Sequence, residues 1–179
     1  MLYIIVILIL CILFIFAYNQ GVQLRNYVRE AFSTMDVYLK KRWDLIPNLI
    51  EVVKSYSDYE KGLLSQVTQI RAKSYDDMTT SSKIDTNKNL GQVLGRIIAV
   101  AENYPDIKAN QTYEKLMGEL SDIEKEIANS RKYYNGTVRE YNNYLEIFPT
   151  NLIGAAFHFE KAKMFEITDE ERNNIKAEL

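Results

Sequence analysis

The chain opens with an uninterrupted apolar run, Leu2 to Tyr18, LYIIVILILCILFIFAY, with no charge on any face. A helix on the surface of a water-soluble domain keeps one polar face. This run has none, so a core helix does not account for it. As a helix it spans roughly 25 Å, slightly short of the ~30 Å hydrocarbon core. Met1, Val22 and Leu24 extend the apolar surface. A cleaved signal peptide would need a basic leader and a small-x-small cleavage site, and the run has neither. The pattern predicts a transmembrane anchor over residues 1–20.

Beyond it the pattern turns to helical periodicity. Leu24, Val28, Ala31, Met35 and Tyr38 alternate by four and three. This predicts a helix that continues the anchor, with Gly21 as the place for an irregularity. Asp44 is placed to cap a second helix, and Pro47 falls in its first turn, where a missing N–H matters little. Ile46, Leu49, Val53, Tyr56, Glu60, Leu63, Val67, Ile70 and Ser74 carry that second stripe, with Gly62 as a weak point. Ser74 to Asn89 is polar and aperiodic, which predicts a loop. Leu90, Leu94, Ile97, Ala101 and Tyr104 predict a third helix ending at Pro105. Asn110 is placed to cap a fourth, whose stripe runs from Tyr113 through Leu116, Leu120, Ile123, Ile127, Ser130, Tyr134, Val138, Tyr141 and Leu145 to Phe148.

Spacing sustained near 3.5 favours left-handed packing at about +20°. The expected fold is all-α: an N-terminal transmembrane helix followed by a long antiparallel four-helix bundle over residues 21–150. A strap and a short helix, opened by the capping box Thr168 to Glu171, complete 151–179. If the first helix leaves the membrane, the fourth returns to it. The apolar tail Leu152 to Phe159, with Met164 and Phe165, then either packs on the bundle end or touches headgroups.

Charge sets the orientation and excludes some functions. No Lys or Arg precedes the span, whereas Arg25, Arg29, Lys40, Lys41 and Arg42 come after it. The positive-inside rule puts the N-terminus outside and the bundle in the cytoplasm. With a net charge of −2 there is no global positive field for nucleic acid. The tyrosine-rich run Tyr133 to Tyr144 has too few basic residues, and acids too close, for a stacking platform, and its tyrosines read as core. Cys11 is the single cysteine and lies in the apolar run, and His158 is the single histidine, in the tail. Neither a Cys–His nor a Ser–His pair is supported by such placement, and no glycine-rich phosphate loop is present. Asp85, Asn87 and Asn89 begin like a calcium loop, but Leu90 and Arg96 stand where Gly and Glu are required. A di-metal carboxylate site needs two Glu-x-x-His motifs, which one histidine cannot supply. Asn110-Gln-Thr and Asn135-Gly-Thr match glycosylation sequons in segments expected to be helical and cytoplasmic, where chance is the better account.

Four blocks in order carry a further signal: LKKRWDLIPNLIEVVKSYSDYE (Leu39–Glu60), QIRAK (Gln69–Lys73), AENYPDIKANQTYEKL (Ala101–Leu116) and ELSDIEKEIANSRKYYNGTVREYNNYLEIFPTNLI (Glu119–Ile153). With the tail FHFEKAKMFE, they resemble the LemA family of bacterial proteins. The resemblance implies a membrane helix followed by a four-helix antiparallel bundle, with the small N-terminus outside, and implies no activity. One departure stands out: the family's closing segment usually carries Gly where this chain has His158.

Arg42, Asp44, Asn48, Arg71, Glu102 and Asn110 lie in these blocks. Glu60 occupies a stripe position. Glu124 and Arg131 share one helix face, as do Asn135 and Asn142. Together they are expected to form a polar layer that fixes helix register, with no catalytic residues, cofactor or metal. The expected function is a non-enzymatic membrane-anchored scaffold or adaptor with a protein partner or self-association. The alternatives are a membrane-shaping or lipid-sensing protein acting through the tail, and a metal- or ligand-binding bundle.

Overall fold

The computed structural model describes residues 1–55, 61–72 and 74–166, with 61–64 described by backbone alone. Among the described residues all regular structure is helical: α1 (Leu2–Lys54), α2 (Lys61–Ile70), α3 (Thr80–Glu102), α4 (Pro105–Lys108), α5 (Gln111–Glu146) and α6 (Thr150–Ala156). The chain divides into two compact units. The first joins Met1–Thr34 to Ser130–Phe165, and the second contains Met35–Asn129.

α1 passes through Gly21, Asp44 and Pro47 without a break. The expected second helix beginning at Asp44 is therefore corrected. Asp44 is exposed and pairs with Lys40 Nζ at 2.8 Å, one turn back on the same helix. Pro47 has no N–H to give the Trp43 carbonyl four residues earlier, and an interior proline costs about 3 kcal/mol. The structure answers from elsewhere: Arg71 Nη1 donates to Trp43 O at 2.6 Å. Continuous burial of Leu39, Trp43, Ile46, Leu49 and Val53 offsets the rest, since each fully buried aliphatic side chain contributes about 1.5–3 kcal/mol. Tyr56 and Glu60 lie outside the described residues, and the second stripe resumes in α2 with buried Val67.

α3 begins at Thr80, ten positions before Leu90, so most of the expected loop over Ser74 to Asn89 is helix. Thr79 caps it, its hydroxyl accepting from the Ser82 N–H at 3.3 Å. The core stripe is Ile84, Asn87, Leu90, Leu94, Ile97 and Ala101, all buried. A polar residue holds the second position, which hides the helix from a hydropathy pattern. In α5, Asn110 supplies the cap: Oδ1 accepts from the N–H groups of Thr112 at 2.9 Å and Tyr113 at 3.2 Å.

In the first unit α5 runs antiparallel to α1. Tyr134 meets Phe32 with ring centroids 5.8 Å apart, and the Tyr144 hydroxyl donates to the Ala17 carbonyl. Val28, Ala31, Tyr134, Val138, Tyr141 and Phe165 form this core. In the second unit, Met35, Leu39, Ile46 and Leu49 of α1 are buried with Leu90, Leu94 and Ile97 of α3 and with Leu116, Leu120 and Ile127 of α5.

After α6 the chain turns sharply into an extended strap. The Phe159 N–H reaches the Gly154 carbonyl at 2.9 Å and the His158 N–H reaches Ala155 O at 3.4 Å, a Schellman closure. His158 takes φ 53° there. This left-handed conformation is free to glycine and strained for a side chain, which gives a physical reason for glycine at this place. His158→Gly is expected to stabilise the fold by about 0.5–1 kcal/mol, read as a higher urea midpoint at unchanged m-value. A lower midpoint would contradict this.

Candidate functional site

Two polar constellations stand out, one in each unit. In the second unit Arg42 of α1 is buried at 3% exposure and Asn87 of α3 at 1%. Arg42 Nη2 donates to the Asn87 carbonyl at 2.7 Å and to Asn87 Oδ1 at 2.9 Å. Its Nη1 donates to Glu124 of α5 at 2.8 Å. Asn87 Nδ2 donates in turn to Lys83 O at 3.0 Å, back along α3. The guanidinium thus ties three helices at one level. A rigid planar fork suits this task, because it aims several donors in fixed directions.

Next to it Asp36 of α1 collects two donors: the Tyr75 hydroxyl at 2.7 Å and Lys83 Nζ at 2.6 Å. The Lys83 ammonium also lies 4.6 Å from the Tyr75 ring centroid, and the Trp43 and Tyr75 rings are 5.4 Å apart. Arg71 lies over Trp43 at 5.0 Å while it bonds the Trp43 carbonyl. An otherwise polar connection between α2 and α3 is fixed here by one buried phenol. Among the described residues no three His, Cys, Asp or Glu side chains gather where they could hold a metal ion.

The first unit holds a clamp. Asn142 Nδ2 donates to Ala162 O and its Oδ1 accepts from the Ala162 N–H, both at 2.9 Å. Asn135 treats Phe165 the same way, at 2.9 and 2.8 Å. Each asparagine amide pairs with a peptide group as a neighbouring strand would. The spacing has a geometric reason: seven residues of helix rise roughly 10.5 Å, and three residues of extended chain cover about 10 Å. Between them the Tyr134 hydroxyl donates to Lys163 O at 2.8 Å.

The residues singled out in the sequence therefore divide. Arg42 and Glu124 come together, while Asn135 and Asn142 hold the strap. Arg71 repairs the proline site and Asn110 caps α5. Arg131 belongs to the other unit from Arg42 and Glu124, and its guanidinium lies 4.8 Å from the Phe165 ring centroid. Asp44, Asn48 and Glu102 are exposed, and Glu60 lies outside the described residues. The pattern missed Asp36, Tyr75, Lys83 and Asn87. For Asn87 a signal existed: its spacing to Ile84, Leu90 and Leu94 is helical.

Burial pushes the phenols of Tyr75, Tyr113, Tyr134, Tyr141 and Tyr144 above their ordinary value of 10.0, with Asp36 adding to the effect at Tyr75 and Glu102 at Tyr113. The folded state then holds these protons when the unfolded chain has begun to lose them. Their contribution is fully present below about pH 10 and is lost as pH rises above it. Phenolate absorbance is expected to show an early group of tyrosines and a late group that titrates only with unfolding. Titration of all tyrosines in one early step would contradict this.

Among the described residues these features define a class: an all-helical protein with one helix long and apolar enough to cross a membrane, a guanidinium-centred polar network and an asparagine-clamped strap. The LemA family's sequence model matches residues 31–178, and the chain belongs to the LemA family. It is 25% identical to Protein LemA of Metamycoplasma hominis, over 88% of this chain and 72% of that protein. It is 21% identical to Magnetosome protein MamQ of Magnetospirillum gryphiswaldense and 23% to Magnetosome protein MamQ 2 of Paramagnetospirillum magneticum. In both cases the alignment covers 83% of this chain and 64% of the relative, so the chain spans less than two thirds of the MamQ proteins' length.

Proposed function

We propose that this protein is a non-enzymatic, single-pass membrane scaffold or adaptor of the bacterial cytoplasmic membrane, carrying an antiparallel four-helix bundle on its cytoplasmic side. The carrying observation is the surface of α1. From Leu2 to Phe16 every large apolar side chain is exposed, and the most apolar window of this helix has none of its residues buried. Soluble monomers rarely expose more than a few hundred Å² of contiguous apolar surface. Lipid is the solvent that this surface fits. Arg25 and Arg29, just beyond the span, favour the cytoplasmic side for the bundle. The polar groups at the Arg42 network serve one another, as in a rigid support, which favours a binding or organising role over catalysis.

The test is made on the full-length chain in its native membrane. Retention after alkaline carbonate washing supports the anchor, and release overturns it. Crosslinking and mass spectrometry then read the adaptor role. A recurrent heterologous partner supports the adaptor, and self-crosslinks alone overturn it in favour of a homo-oligomeric role.

A further inference from the structure

The turn between α5 and α6 has an unusual surface. Residues 147–159 contain no Asp, Glu, Lys or Arg. Four of their large apolar side chains face outwards: Ile147 at 59% exposure, Phe148 at 75%, Leu152 at 60% and Phe157 at 43%. The corner also sits at a defined level of α1. The Tyr144 hydroxyl bonds the Ala17 carbonyl. The Phe157 ring centroid lies 4.6 Å from that of Tyr18 and 5.9 Å from that of Phe14. The exposed corner is therefore continuous with the last turns of the apolar run from Leu2 to Tyr18.

A polar border runs beside it. Lys161 Nζ pairs with Glu146 at 2.7 Å, and the Arg25 guanidinium lies over the Phe159 ring at 4.9 Å. Charge begins again at Glu146 and Glu160, on either side of the charge-free segment. An apolar shelf edged by charged and aromatic groups, level with the end of an apolar helix, has the composition of an interfacial element.

We propose that Ile147, Phe148, Leu152 and Phe157 insert into the headgroup–acyl boundary of the bilayer beside α1, giving the protein a second, monotopic membrane contact. This rests on the reading of α1 as a membrane span. Such elements lie about 5–10 Å deep. The second contact stops the first unit from swinging about a single helix and fixes its tilt at the surface. The strap starts from the same point, since the Schellman turn at His158 carries the chain from the lipid-facing Phe157 back to Phe159 on α1.

The test uses the full chain with Cys11→Ser, reconstituted in vesicles of phosphatidylethanolamine and phosphatidylglycerol. An environment-sensitive NBD label is placed in turn at Phe148→Cys and Leu152→Cys. Ile9→Cys reports the span, and Tyr133→Cys, exposed and roughly 20 Å back along α5 from Phe148, reports water. Lipids carrying a quencher at shallow or deep acyl positions are compared. Labels at 148 and 152 are expected to emit to the blue of the label at 133. They should lose intensity with the shallow quencher more than with the deep one, and the label at 9 should be quenched strongly. Quenching at 9 with water-like emission at 148 and 152 overturns the second contact alone. Blue-shifted but unquenched labels at 148 and 152 place protein there, such as a second copy, and also overturn it. Absence of quenching at 9 overturns the span and with it the second contact.

Discussion

Arg42→Ala is expected to destabilise the folded chain by about 3 kcal/mol, and Glu124→Ala, which leaves the buried guanidinium without its carboxylate, is expected to cost a comparable amount. Both costs come from burial: the Arg42 side chain is 4% exposed and cannot carry its charge to water when Glu124 is removed. Glu124's side chain is 37% exposed and can turn to water when the guanidinium is gone. Asn87 cannot: it is buried and uses both its carbonyl and its Oδ1 to accept from Arg42. Truncating the arginine strands the Asn87 Oδ1, while the Asn87 backbone carbonyl keeps its place in the α3 ladder, and leaves a cavity at the level where three helices meet. Arg42→Met keeps much of the volume but not the donors, so it should recover only part of the loss. Arg42→Met combined with Asn87→Leu removes donors and acceptors together and should recover more, because a buried polar cluster replaced whole by apolar groups is often nearly neutral. Urea unfolding of the detergent-solubilised chain, run as double-mutant cycles, checks this. Arg42 should couple strongly to both Asn87 and Glu124. A loss below about 1 kcal/mol, the range of an exposed ion pair, in either Arg42→Ala or Glu124→Ala would contradict the account.

The second large effect is expected at Gly21. A Cβ there would lie 2.7 Å from Phe159 Cε2 and 2.8 Å from Tyr144 Cε1, closer than carbon atoms pack. Rings can often turn aside, but both of these are held. Tyr144 is bonded to the Ala17 carbonyl. Phe159 is packed with Tyr18 at 5.9 Å and lies under Arg25 at 4.9 Å. Gly21→Leu is therefore expected to cost the strap contact about 1–3 kcal/mol. α1 itself gains up to about 1 kcal/mol in helix propensity, so the loss should be local undocking rather than unfolding. Hydrogen exchange should accelerate at 157–159, while the amides of Ala162 and Phe165, held by Asn142 and Asn135, stay protected. Unchanged exchange at 157–159 would show that the strap does not depend on this close approach.

Much of this fold is legible in the chain because it depends on local periodicity. The apolar run from Leu2 to Tyr18 needs no partner to declare itself, since no polar face is left for water. The long stripe of α5 and its Asn110 cap are equally local, because both ends of each interaction lie within a few residues.

The sequence by itself could not decide whether Pro47 starts a helix or sits inside one, because the group that bonds the Trp43 carbonyl is Arg71, 28 residues away. It could not place Asn87 in a core, because the justification for burying that amide is Arg42, 45 residues away. Nor could it assign Asn135 and Asn142 to a strap rather than to the register of helices; their spacing marks one face, and only the extended chain against that face says what it serves. Hydrophobic burial has a period that a linear pattern records. The satisfaction of buried polar groups depends on partners brought together by the tertiary fold, and there the structure alone made the assignment.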